Sequence, residues 1–324
     1  MKLTPYVSII VPVHNAGIYL EKCLDTLVNQ TLKNIEIICV LDCPTDGSDN
    51  YVKAIAKTDS RIIVIENEIS LGVSESRNRG LKVAKGEFVG FSDHDDYREL
   101  SMYKELYGVA TREDSDIVLS NTLEVCLENG NIVKRVYNDV SCEGIIKSII
   151  LPMQHSSNIN KMADCIWASI FRKQVIIDNN IIFLDRHIYF GEDTLFNLMF
   201  FLKANRVSHV NKFFYSWLKH DNNLSRSCND HFDIATRHLF LCEKMIEILH
   251  TKKYKLQQCI HFATYIRWYY RIIAENRDDF DKRLANIIKE IDYPLWGRYS
   301  DMKLISKIRI KLLFLVFRLK YLQR

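Results

Sequence analysis

Residues 7–15 read Val-Ser-Ile-Ile-Val-Pro-Val-His-Asn. Val7 to Val13 is an apolar, largely β-branched run, the composition of a strand buried on both faces. Reading outward, Tyr19 to Gln30 places Leu20, Cys23, Leu24, Leu27 and Val28 on one side of a helix. Ile35 to Leu41 is a second buried strand. A turn-rich segment from Asp42 to Asn50 leads into a helical stretch ending near Lys57. Arg61 to Ile65 is a third strand, and Gly72 to Lys85 a helix closed by Gly86. Phe88 to Phe91 is a fourth strand that runs directly into Asp93-His94-Asp95-Asp96. This alternation predicts an α/β fold: a doubly wound, mostly parallel sheet with helices on both faces. Such sheets bind ligands at the carboxyl ends of their strands, so the loops after strands one, two and four are expected to line one crevice.

The 324 residues are 48% hydrophobic and 26% charged, with a formal net charge of +4. The weak net charge argues against a nucleic-acid partner, which calls for a clustered basic face. Nine cysteines, an odd number with no C-x-x-C pair, read as reduced thiols in a reducing compartment. The amino-terminal apolar run is short and broken by Pro12, so it reads as a strand rather than a signal peptide. No run has the length of a membrane span. The expected location is cytoplasmic.

Ile117 to Leu127 and Ile132 to Tyr137 read as two strands around an Asn129-Gly130 turn. From His231 onward the pattern is helical, with Phe240, Met245, Ile248 and Leu249 on one face. The expected domains are therefore 1–230, holding the crevice, and 231–324, a helical region. Lys303, Lys307, Arg309, Lys311, Arg318, Lys320 and Arg324 interleave with apolar residues between Ile305 and Phe317. That tail suits a helix lying on the inner face of a membrane, or equally a last core-packed helix with a basic edge. Trp268, Tyr269 and Tyr270 suit a homodimer interface or plain packing.

Asp93, Asp95 and Asp96 crowd carboxylates that repel unless a cation screens them, and a divalent ion with oxygen ligands is the natural partner. The bland alternative is a solvated turn capping a helix from Arg98 to Ala110. Strand alternation places Asp93 and Asp95 on one side. Asp42 serves either as a turn-former or as an acceptor for a base N–H. The helix start at Gly72, with Arg77, suits phosphate, whereas Arg79 reads as a surface charge. Glu192 and Asp193 precede an apolar helical run, where dipole capping alone explains acids.

These segments, PYVSIIVPVHNAGIYLEKCLDTLVNQT, VLDCPTDGS and SLGVSESRNRGLKVAKGEFVGFSDHDDY, resemble the inverting glycosyltransferases of family 2, which have the GT-A fold. DCIWASIFRKQVI, IYFGEDTLFNLMFFLKA and FFYSWLKHDNNLSRS extend the resemblance to about Ser227. The resemblance implies that Pro12, Val13, His14 and Asn15 line the nucleotide and that Asp42 contacts its base. It sets Arg77 near the nucleotide and its phosphates, and Asp93, His94 and Asp95 beside the donor. Asp95 and Asp93 become the ligands of manganese or magnesium, Asp93 to Asp95 being the family's D-x-D segment. Asp193 matches the general base, and His220 lies in the segment approaching the diphosphate. Two departures stand out. Cys43-Pro44 stiffens the second loop, and Leu218 replaces a frequent arginine, with Lys219 and Arg226 as candidate substitutes.

The activity implied by the resemblance is transfer of a sugar, with inversion, from a nucleotide-diphosphate donor, UDP favoured. The acceptor is a saccharide or lipid-linked saccharide hydroxyl in surface-polysaccharide synthesis. Its site is expected around Trp167 and Arg172, Trp167 reading equally well as core. A nucleotidyltransferase would want a glycine-rich phosphate loop after the first strand, which V-P-V-H-N-A-G lacks. A catalytically impaired nucleotide-sugar-binding relative or scaffold is the second reading, carried by Leu218.

Overall fold

The computed structural model describes residues 4–150, 165–189, 191–221, 223, 240–241, 244–245 and 247–249. The order is β1 (Val7–Val13), α1 (Tyr19–Val28), β2 (Ile35–Leu41), α2 (Ser48–Ala56), β3 (Ile62–Glu66), α3 (Gly72–Val83), β4 (Phe88–Phe91), β5 (Tyr97–Arg98) and α4 (Met102–Glu113). Next come β6 (Ile117–Cys126), β7 (Ile132–Arg135), α5 (Cys142–Ile150), β8 (Ser169–Arg172), α6 (Lys173–Asp178), α7 (Glu192–Phe201) and β9 (Val207–Lys219).

The strands form one sheet in the order β3-β2-β1-β4-β8-β6-β9-β5, with β7 paired on β6. β3, β2, β1 and β4 run parallel, as their alternation with helices requires. Every residue of β1 and β2 is buried, which is why both read as apolar runs, each interrupted by one polar residue, Ser8 and Glu36. Past β4 the sheet is mixed. β8 lies antiparallel between β4 and β6, β9 runs parallel to β6, and the short β5 closes the edge antiparallel to β9. The expected β6–β7 hairpin forms around Gly130, which takes a positive φ of 70°.

The helix expected from Arg98 begins only at Met102. Asp96 accepts hydrogen bonds from the Tyr215 hydroxyl and the Leu218 N–H, both at 2.8 Å, and this draws Tyr97 and Arg98 into pairing with β9. Arg98 is then buried, donating to the Cys23 and Asp96 carbonyls and to the Ser92 hydroxyl.

At the end of the sheet opposite the crevice, Ser8 donates to the buried Glu36 and accepts from Gly86 N–H. A Cβ on Gly86 would stand 2.5 Å from Ser8 N and 2.7 Å from Phe88 O. Backbone atoms cannot swing aside, so Gly86→Ala is expected to lose about 1–3 kcal/mol, seen as a lower urea midpoint.

The chain divides into two compact units. One comprises Met1–Ile149, Ser157–Arg186 and Glu192–Ser227; the other comprises Ile150–Ser156, His187–Gly191 and Cys228–Arg324. In the second, Leu241, Met245 and Leu249 are buried at helical spacing, so the buried stripe runs through Leu241 rather than Phe240. The aromatic band at residues 268–270, the basic tail and Arg226 lie outside the described residues.

Candidate active site

The loops after β1 and β2 are laced together. Asn15, at φ 43°, accepts from Thr45 N–H at 2.7 Å, and Asp46 accepts from Gly17 N–H at 2.8 Å. Val13 O accepts from Asp42 N–H. His14 Nδ1 lies 2.6 Å from the Asp42 carbonyl and His94 Nδ1 lies 3.0 Å from the Pro12 carbonyl. A carbonyl can only accept, so both rings carry the proton on Nδ1 in these contacts. Pro12, Val13, His14, Asn15, Asp42 and His94 are thus brought to one rim.

Asp42 is 4% exposed and its carboxylate is saturated. Oδ1 accepts from Asn67 Nδ2 and Leu71 N; Oδ2 accepts from Ser70 Oγ and Gly72 N, all within 2.9 Å. Burial alone would push this carboxyl up. The four donors outweigh it and hold the group below the usual carboxylate range. Asp42 therefore starts α3. Asp42→Ala is expected to cost about 2 kcal/mol in urea unfolding. Because the pKa is depressed, that contribution is full above the ordinary aspartate range and fades as pH falls through the lowered value. Wild type and variant should converge in acid.

The acidic segment does not form one cluster. β4 ends at Phe91, so strand alternation does not carry through Asp93 and Asp95. Asp93 Oδ1 accepts from Arg77 Nη2 at 2.9 Å, and its N–H donates to the Tyr215 hydroxyl at 3.2 Å. Asp95 Oδ2 accepts from His220 Nε2 and Asn223 Nδ2, each at 3.1 Å. His220 stacks on Tyr19 with centroids 4.3 Å apart, and its buried Nδ1 has no partner among the described residues. Asp96, 1% exposed, is an internal anchor for β9.

Arg77 joins the two ends of the site. It is 3% exposed, and its Nη1 donates to Asp193 Oδ1 at 2.6 Å and to Glu192 Oε1 at 3.1 Å, while Nη2 holds Asp93. Arg186 supplies Glu192 with a second cation at 3.1 Å. Burial pushes Asp193 up, and Glu192 and Asp93 push it further. Arg77 opposes them, but one guanidinium divided among three carboxylates does not cancel the rise. Asp193 keeps 22% of its side chain exposed, so the crevice contains a reachable carboxylate above the ordinary aspartate range.

Among the described residues, no group of three or more His, Cys, Asp or Glu side chains is arranged to hold a metal ion. The donor set still fits a hard divalent cation. Asp95 and Asp93 both act on the buried Asp96, and Asp93 also on Asp193 beside Glu192, so carboxylates outnumber the guanidinium groups here and an added cation is favoured. Asp95 Oδ1 has no partner among the described residues. Magnesium-type sites commonly use one or two carboxylates and complete their shell with substrate phosphates and water.

Residues 8–179 match the model of Glycosyl transferase family 2, more than half of the chain. The chain belongs to glycosyl transferase family 2. EpsJ of Bacillus subtilis (strain 168), an uncharacterized glycosyltransferase, is 32% identical over 226 residues, 69% of this chain. That match takes in 64% of EpsJ, so the chain spans less than two thirds of this relative's length. The crystal structure of S. aureus TarS 1-349 with UDP-GlcNAc superposes with a TM-score of 0.71 at 20% identity, covering 96% of this chain and 88% of that one. The mannosyltransferase PcManGT from Pyrobaculum calidifontis, solved with GDP-Man and Mn2+, gives a TM-score of 0.52 at 15% identity, covering 99% and 88%. The fold is accordingly of the GT-A type.

Within this family 2 chain, several expectations from the sequence meet a different environment. Arg77 has both terminal nitrogens engaged by protein carboxylates, which makes it a positioning group for acids on two sides of the crevice. Lys219 is paired with Glu124 and is not free to replace the cation that Leu218 lacks. Leu218 is 5% exposed. Arg172 pairs with Phe88 at the start of β4 and makes ion pairs with Glu87, Asp114 and Asp116. It therefore stands at the end of the sheet away from the crevice and does not serve an acceptor there. Trp167 is 8% exposed and stacked on Tyr215. Tyr215, which fixes both Asp93 and Asp96, gave no signal in the sequence, where it was one aromatic among several. No described helix is long and apolar enough to cross a membrane.

Proposed function

We propose that this chain transfers one sugar, with inversion, from a nucleoside diphosphate sugar to a hydroxyl acceptor, with Asp193 as general base. The observation that carries the reading is the buried guanidinium of Arg77. It holds Asp93, on the donor side, and Asp193 at the N-terminus of α7, 2.9 and 2.6 Å from its nitrogens. The acid of the loop after β4 and the acid that opens α7 are thereby fixed within reach of one guanidinium.

In this reading His14, Asn15 and the Asp42 turn receive the nucleotide, with Pro12, Val13 and His94 shaping the same rim. Asp42 acts on the base through the loop it holds, since both its oxygens are occupied. Asp93 and Asp95 are the residues that would hold manganese or magnesium. When bound, that ion neutralises charge developing on the diphosphate. His220, braced by Tyr19, orients Asp95. Asp193 takes the proton of the acceptor hydroxyl, and burial beside Glu192 and Asp93, which raises its pKa, makes it a stronger base than an exposed aspartate. The hydroxyl oxygen forms the new bond as the bond to the nucleotide breaks, and one displacement inverts the sugar carbon.

The UDP-GlcNAc bound by TarS supports a uridine donor, and the GDP-Man and Mn2+ bound by PcManGT support a nucleotide sugar taken with metal. A role in surface-polysaccharide synthesis, on the cytoplasmic side of a membrane with the basic tail as contact, completes the reading. Leu218 favours a second one, a nucleotide-sugar-binding relative with little turnover, because the leaving diphosphate would lack a cation there. Release of nucleoside diphosphate from a panel of nucleotide sugars with manganese separates them. Steady release supports the transferase, and binding without release supports the impaired relative.

A further inference from the structure

Arg79, which the sequence offers as a surface charge, reaches the rim around Asp42 through one intermediary, Asn67. Asn67 directly follows β3 and is 7% exposed. Each of its polar atoms is bonded, and three of the partners are the consecutive residues at and after the end of β2. Its N–H donates to Leu41 O at 2.9 Å, and its carbonyl accepts from Cys43 Sγ at 3.3 Å. Its Nδ2 donates to Asp42 Oδ1 at 2.6 Å and to Ser76 Oγ at 3.2 Å. Its Oδ1 accepts from Arg79 Nη1 at 2.5 Å. Ser76 and Arg79 stand three apart on α3, so one helix face meets both ends of the amide.

These partners fix which way the amide points. A carboxylate only accepts and a guanidinium only donates, so one orientation satisfies both. Turned over, the amide would set its oxygen against Asp42 and its NH2 against Arg79. Removing Arg79 takes away the donor that holds Oδ1, and with it the group that keeps Nδ2 on the Asp42 carboxylate. Asp42 is the residue that feels the change. It gathers Ser70, Leu71 and Gly72 at the start of α3, and Cys43 beside it sits at φ 51°, a conformation few residues other than glycine adopt. The helix that Asp42 starts thus returns, two turns on, to brace the same carboxylate. Lys82 supplies the comparison. It shares the wall of an open cavity with Arg79, but its side chain is 73% exposed and pairs with Glu75. Losing Lys82 removes the same charge from the same wall without removing a partner of Asn67.

We propose that Arg79 is a positioning residue for the nucleoside of the donor, acting through Asn67 on Asp42 and the loop that Asp42 closes. The assignment rests on the reading that this rim receives the nucleotide. The test is titration calorimetry of the full chain with UDP and with GDP, each with manganese. For the nucleotide that wild type binds, Arg79→Ala is expected to raise Kd about tenfold. Arg79→Lys keeps one donor for Oδ1 and should stay within about threefold, and Lys82→Ala within about twofold. With Asn67→Ala already in place, Arg79→Ala should move Kd by less than about twofold, because the intermediary is gone. In turnover, Arg79→Ala should raise the donor KM about tenfold and leave kcat within about twofold, whereas partial unfolding would lower kcat at an unchanged KM. An unchanged Kd in Arg79→Ala beside a wild type that binds overturns the positioning role and leaves the donor site standing. So does an equal loss in Lys82→Ala, which makes the effect one of charge alone, or a further tenfold loss in the Asn67→Ala background, which makes it direct. A wild type that takes neither nucleotide sinks the donor reading, and the positioning role with it.

Discussion

Asp193→Asn is expected to lower sugar transfer by about 10²–10⁴-fold while leaving nucleotide binding within about twofold. The change is isosteric and removes the negative charge together with the capacity to take a proton. Arg77 keeps Asp93 and Glu192 as partners, so the fold has no reason to fail. Removing one carboxylate from an acid-rich group should leave the melting temperature level or raise it. The pH profile gives an independent check. Asp193 works as a base only when ionised, and burial with two neighbouring carboxylates pushes its pKa up. Wild-type turnover should therefore climb with pH through a range above that of an ordinary aspartate, and the residual rate of the variant should lack that limb. Steady-state rates against pH for both proteins decide it, and near-normal turnover in the variant would remove Asp193 from the mechanism.

Arg77→Met should be the most destabilising single change at the site, by about 3 kcal/mol in urea unfolding. The side chain is 3% exposed, and its loss leaves Asp93, Glu192 and Asp193 facing each other with only Arg186 to offset them. Arg77→Lys should recover little, because one ammonium cannot present the planar fork that reaches three carboxylates on two sides. Added manganese should recover part of the loss in Arg77→Met by supplying the missing positive charge. Equal stability of wild type and Arg77→Met would show that the three carboxylates do not depend on this guanidinium.

The half of the fold around the crevice was legible because β1 and β2 are buried on both faces and are apolar except for the paired Ser8 and Glu36. β8 and β9 were not. β8 is four residues long, and β9 pairs with β6 through register shifts at Ser120/Asn121 and Asn121/Thr122 that break the two-residue alternation. The same limit applies to the candidate site. Asp93 to Asp96 stood out by density, yet the sequence gives all three acids one meaning. Only the fold separates Asp93 on Arg77, Asp95 on His220 and Asp96 inside the protein. Asp193 looked like any acid at a helix start, since the guanidinium that distinguishes it lies 116 residues earlier in the chain. Asp42 was open between turn-former and base contact; its four donors make it the start of α3 first, and a nucleotide ligand only through that loop.

The most direct test of the central claim is a thermal-shift comparison of wild type and Asp95→Ala with UDP, GDP and their sugars, each with and without manganese. A ligand that binds only the folded protein raises its melting temperature by mass action. The account predicts a shift of several degrees that needs nucleotide and metal together, is largest for a uridine compound and disappears in Asp95→Ala. An equal shift in wild type and variant, or none with any nucleotide, would contradict a donor site built on the carboxylates after β4.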